Sequence, residues 1–210
     1  RGTVTRAADR LKGWAPWLFA LAALLLVVHW ASTRPLERRP GILAPGEPVQ
    51  TAIDAAAPID AGHGFWLTPR AQFAATVRVL ASERYYIDAM APIAPVDLAV
   101  GWGPMSDTAV LGALSISQSA RFYFWQGREL PLPPADITRH SANWHIVPAS
   151  ATVYRTLRQL RPGQLIHLSG ELVDVEGPDG GSARTSLSRN DTGAGACEII
   201  HVETLETVGG

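Results

Sequence analysis

A chain of 210 residues, 47% apolar and 18% charged, holds enough material for one good-sized core and hardly for two. Its 18 lysines and arginines nearly balance 19 aspartates and glutamates, which removes any general pull toward nucleic acid. The only cysteine, Cys197, excludes an intrachain disulfide and a multi-cysteine metal centre. No cofactor and no metal are expected, and a start at Arg1 rather than methionine reads as a piece of a longer product.

Residues 1–13 carry Arg1, Arg6, Arg10 and Lys12 against Asp9, and residues 14–31 then read WAPWLFALAALLLVVHWA, with His29 the only ionisable group. At ~1.5 Å per residue such a run approaches the ~30 Å hydrocarbon thickness. Trp14, Trp17 and Trp30 stand at its ends, where indoles favour the headgroup interfaces. A transmembrane helix over 14–31 is therefore expected, with membrane lipid as its partner. The positive-inside bias places 1–13 in the cytoplasm and the rest beyond the inner membrane. A cleaved signal peptide competes with the anchor, but His29 and Trp30 stand where small residues would precede the cut. Residues 32–62 hold Pro35, Pro40, Pro45, Pro48 and Pro58 and read as an extended spacer.

The folded domain is then expected over 63–208. Residues 71–82 alternate at Phe73, Ala75, Val77 and Val79, as a half-buried strand does; a helix with a Phe73, Val77, Leu80 stripe is the alternative. Ser106 and Asp107 suit the N-cap and first-turn acid of a short helix, DTAVLGAL, ended by the sequence SIS. The aromatic run RFYFWQ (121–126) reads as a strand, as does WHIVPA (144–149). Residues 151–160 show helical spacing at Val153, Leu157 and Leu160. GQLIHLSGELVDV (163–175) is a long strand interrupted by Gly170, a place for a bulge or bend. EGPDGG is a turn, ARTSLSR a further strand and CEIIHVETLE the last. The order predicts an α+β, mainly β fold: an N-terminal transmembrane helix plus one small OB-like, barrel-type domain.

The segments VLASERYYIDAMAPIAPVDLAVGWGPMSD, HSANWHIVPA and LSRNDTGAGACEII resemble those of uncharacterised bacterial single-pass membrane-anchored proteins with a β-rich C-terminal domain. The resemblance covers the whole domain and implies no activity.

Four groups of residues invite chemistry. His140 and His145 in HSANWH stand five apart, a spacing that sends them to opposite sides of a strand and ~140° apart on a helix, so a turn-capping role competes with a site. Asp191, in NDTGAGACE, sits in the Asp-Thr-Gly triplet of aspartic proteases, but its flanks are polar and glycine-rich, which suits a carboxylate that closes a turn. Cys197 opens an apolar strand as a small buried hydrophobe would; a catalytic thiol would need His140, His145 or His201 in hydrogen-bond reach. Trp102, Tyr123, Trp125 and Trp144 either fill the core or line a groove for a sugar, peptide or partner strand.

Two functions follow. The first, a membrane-anchored extracytoplasmic module that binds an envelope protein or polymer, rests on the anchor, the spacer and the lack of a recognisable catalytic set, and leans away from an enzyme. The second is an envelope hydrolase or metal-dependent enzyme built from His140, His145, Asp191 and Glu198.

Overall fold

Residues 16–28 form helix α1 in the computed structural model, which describes residues 14, 16–28, 34–188, 193 and 195–209. Every described side chain of α1 is exposed. Among the described residues no helix is long and apolar enough to cross a membrane. The span expected over 14–31 runs on into residues 29–31, which lie outside that description. The chain divides at Pro35, and Leu36–Gly210 forms a unit of its own.

That unit starts earlier than expected. Leu36 donates its N–H to the Pro162 carbonyl at 2.8 Å, and Leu43 and Ala44 donate theirs to Ser106 Oγ at 3.0 Å each. Strands β1 (Val49–Ala52) and β2 (Ile59–Gly62) then pair with β3 (Phe65–Arg84). The residues read as a spacer from 36 on thus belong to the folded unit. Their prolines lie outside the two short strands, where a missing N–H breaks no ladder.

Strand β3 runs for 20 residues and also pairs with β4 (Val96–Gly101) and β8 (Leu165–Glu176). A register shift between Pro69 and Ala71 turns it over. Phe65 and Leu67 therefore join one apolar cluster, while Phe73, Ala75 and Val77 face the main core. Pro69 sits at that bulge, where its absent N–H is tolerated.

After β4 come a 3-10 turn (Gly103–Ser106) and helix α2 (Thr108–Leu111). Asp107 rather than Ser106 caps α2, accepting from Ala109 N at 2.8 Å and from Gly41 N at 2.9 Å. Those two donors hold its carboxyl below the usual range. The sequence expected to stop this helix begins a strand, β5 (Ser115–Ser119), which forms a two-stranded hairpin with β6 (Phe122–Gln126). Helix α3 (Pro134–Arg139), β7 (Ser141–Pro148) and helix α4 (Ala151–Leu157) follow, then β8, β9 (Ser182–Ala183) and β10 (Glu198–Val208). Of the strand expected over 183–189, the described residues 183–188 contribute only Ala183, in β9. Beyond it Thr185 Oγ1 accepts from Ile199 N and Ser186 N donates to the Cys197 carbonyl, so the segment braces β10 without continuing a ladder with β8.

The main sheet is mainly antiparallel. β3 pairs with β4, β4 with β7, β10 with β8 and β8 with β3, while β10 runs parallel to β7. The pairings return to the strand they left. Inside lie Phe73, Val77, Trp102, Trp144, Ile146, Ile166, Leu168, Leu172 and Ile200, with Val153 and Leu157 of α4 packed among them. Trp144 meets Phe73 edge to face at 5.4 Å and stacks on Trp102 at 6.4 Å. Each such large side chain contributes about 1.5–3 kcal/mol by leaving water.

Gly170 lies where β8 is flanked by both β3 and β10, opposite Phe73 and Val202. A Cβ there would collide with the His201 carbonyl oxygen. Gly170→Ala should destabilise the domain by about 1–3 kcal/mol, as overpacking does; a melting midpoint equal to the parent's would contradict this close approach.

Candidate functional site

Every residue of β4 is buried, Asp97 included, at 0% exposure. Strand alternation explains the pattern. Val96, Leu98 and Val100 point into the main core, so Asp97 points to the outer face of the sheet, beneath the β5–β6 hairpin and the segment before β4. Register then decides what surrounds it. Asp97 pairs with His145 on β7, and His145 pairs with Ile199 on β10. Asn143 lies two residues earlier on β7, on that same outer face, and Cys197 immediately precedes β10.

A carboxylate in this position needs partners. Arg121 NH1 reaches Asp97 Oδ1 at 2.8 Å and NH2 reaches Asp88 Oδ1 at 2.7 Å. Asn143 donates to Asp97 Oδ2 at 3.2 Å. His145 Nδ1 lies 2.9 Å from the same oxygen as a close ion pair, without the alignment of a linear hydrogen bond. The Arg121 guanidinium also covers the Tyr85 ring at 3.8 Å and donates to the Ala94 carbonyl.

The main chain of Arg121 is bound as tightly as its side chain. Ala120 and Arg121 form the two-residue turn of the hairpin, both with positive φ, at 50° and 70°. Such a turn ordinarily takes Asn-Gly, and each L-residue held there costs about 1–2 kcal/mol. Arg121 N donates to Tyr85 Oη at 3.0 Å, and its carbonyl accepts from Asn143 Nδ2 at 3.0 Å and from Cys197 Sγ at 3.9 Å.

Burial opposes charge on His145, but the contacts with Asp97 and with the Cys197 sulfur outweigh it and raise its pKa from 6.5 to about 9. Beside this cluster lies a cleft of about 300 Å³, between the first residues of β7 and β10 and the β6 strand. Trp102, Tyr123 and Trp125 wall it, and Arg139, Glu198 and Cys197 supply its charged and nucleophilic groups. Tyr123 Oη lies 2.6 Å from Ser141 Oγ, and burial pushes its phenol pKa up.

The residues singled out from sequence divide accordingly. Trp102, Tyr123 and Trp125 border the cleft, whereas Trp144 is fully buried in the core. His140 and His145 have different surroundings. His140 ends α3, with its Nδ1 2.8 Å from the Asp136 carbonyl and its ring against Gly103, while His145 belongs to the Asp97 cluster. Glu198 is buried and borders the cleft. Asp191 lies outside the described residues. Cys197, read as a buried small hydrophobe, is only partly buried. Asp97 and Arg121 were missed; the signal was an acid inside the otherwise apolar run VDLAVG. Among the described residues no group of three or more histidine, cysteine and carboxylate side chains is placed to hold a metal ion. In comparisons with known proteins, the chain matches no family model, no curated protein and no solved structure.

Removing one partner of a buried ion pair strands the other, so Arg121→Met should cost about 3–5 kcal/mol in chemical denaturation; a loss below 1 kcal/mol would show that Asp97 is satisfied without it.

The His145 shift also sets a pH dependence. Because folding raises this pKa, the charged ring is favoured by the fold: its contribution is complete below 6.5 and is lost as pH rises through about 9. Melting curves should fall more steeply across that window for the parent than for His145→Gln, and parallel curves would refute the assignment.

Proposed function

We propose that the chain is a membrane-tethered, extracytoplasmic binding module of the bacterial cell envelope, and that it offers the cleft beside β6, β7 and β10 to a segment of envelope polymer or protein. One observation carries this reading. The cleft combines the aromatic side chains of Phe122, Tyr123 and Trp125 with a few polar groups of both charges, the composition of sites that take up sugars and extended chains. The apolar, exposed α1 supports the tether. The returning pairings of β3, β4, β7, β10 and β8, with α4 between β7 and β8, support an OB-like barrel, a fold that presents ligands to a strand face and its loops. Such a fold hosts many functions, so the reading rests on the cleft.

The test uses the full chain in detergent micelles and purified peptidoglycan sacculi. The parent should co-sediment with the sacculi, and Trp125→Ala should weaken that binding about tenfold or more, the loss of about 1.4 kcal/mol, with little change in melting. Binding that is absent in the parent, or indifferent to Trp125→Ala, would remove the polymer as the ligand of this cleft.

A further inference from the structure

Strand β6 pairs with β5 along one edge, and among the described residues no strand covers its other edge, which borders the cleft. We propose that this edge takes up an extended peptide segment of a partner protein as a further antiparallel strand, with apolar side chains beside Phe122 and Phe124 and a carboxylate against Arg139. The inference rests on the reading of the cleft as a binding site and names the class of ligand it takes.

Hairpin register decides which main-chain groups are open. Around a two-residue turn the flanking residues, here Ser119 and Phe122, exchange main-chain hydrogen bonds, and every second pair along the strands does the same. Ser117 with Phe124 and Ser115 with Gln126 are therefore the other bonded pairs. Tyr123 and Trp125 fall between them, so their N–H and C=O groups point away from β5. None of those groups meets another partner among the described residues. The cleft lies on that side of the hairpin, since Phe122, Tyr123 and Trp125 line it and no residue of β5 does.

Open edges are usually blunted by lysine, proline or a bulge, and FYFWQ has none of these. The strand is also held still. Arg121, paired with Asp97 and Asp88, fixes the turn, so little further ordering is needed when a ligand binds. An added strand lies ~4.8 Å from β6, and its side chains alternate between the two faces of the hairpin. The outer face offers Phe122 and Phe124, 39% and 54% exposed, which suit a β-branched neighbour. The inner face opens into about 300 Å³, room for a few side chains and not for a folded partner. Of the charged residues that line it, Glu198 is buried and Arg139 is exposed, without a salt bridge among the described residues. The cleft thus shows a positive charge to an incoming chain. A segment that alternates apolar and acidic residues matches both faces, while its main chain satisfies Tyr123 and Trp125.

The probe is the acetylated, amidated and fluorescently labelled peptide Thr-Val-Glu-Val-Glu-Val-Thr, titrated to about 1 mM against the full chain in detergent micelles. Anisotropy should show saturable binding that weakens with added salt. The Tyr123 and Trp125 amide hydrogens, followed by NMR, should exchange at least about tenfold more slowly once the peptide is bound. In antiparallel register the glutamates lie opposite Tyr123 and Trp125, so methylating their nitrogens should abolish binding, whereas methylating the valine nitrogens should change it less than about twofold. Arg139→Gln, and lysine in place of glutamate in the peptide, should each weaken binding about tenfold. No binding up to the highest concentration, equal losses from both methylations, or indifference to Arg139→Gln would overturn the proposal. A doubled mass of the chain alone in light scattering, abolished by Phe124→Glu, would give the edge to a second copy and overturn it too. The sacculus result stands apart: peptide binding without sacculus binding supports strand addition and removes only the polymer, and sacculus binding without peptide binding does the reverse.

Discussion

The fold depends on one buried carboxylate. Asp97 sits in the middle of a strand covered on both faces, where an unpaired charge would cost several kcal/mol. Its three partners come from two places in the chain: Arg121 from the hairpin, and Asn143 and His145 from β7. Satisfying Asp97 therefore does more than neutralise a charge. It draws the β5–β6 hairpin, a separate two-stranded sheet, onto the outer face of the main sheet.

The turn of that hairpin shows how strongly it is held. Two non-glycine residues with positive φ would ordinarily relax toward another turn. Here the side chain of Arg121 is fixed at both ends of its guanidinium fork and its main chain by Tyr85, Asn143 and Cys197. Local strain of this kind persists only where the surroundings over-determine it, and it clusters at ligand-binding and catalytic places. In this domain the strained residue borders the cleft wall and touches the sulfur of the single cysteine.

Much of the scaffold was legible in the sequence, because periodicity and turn chemistry are local. The long bent strand with Gly170, the aromatic strand β6, helix α4 and the closing strand β10 all follow from patterns within a dozen residues. What escaped is what register decides. Asp97, Arg121, His145 and Cys197 are spread over 100 positions: strand pairing sets Asp97 beside His145, and Arg121 in the hairpin turn then contacts both Asp97 and Cys197. The two histidines of HSANWH misled for a related reason: they were weighed as one pair, whereas His140 ends a helix and His145 lies inside a strand. The proline-rich segment misled through composition. Prolines exclude a central strand, but they leave room for short edge strands such as β1 and β2 between them.

The parallel pairing of β10 with β7 has a consequence for the order in which the molecule is completed. β10 follows β1 to β9 in sequence, and it fills the gap between β7 and β8. During synthesis Asp97, Arg121 and His145 are made long before Cys197, and until β10 arrives both flanking strands present open edges. The thiol thus reaches the Arg121 carbonyl only in a chain whose ring of pairings is already closing. The cluster is a property of the finished product, and a chain cut short before residue 197 contains neither the seam nor the sulfur.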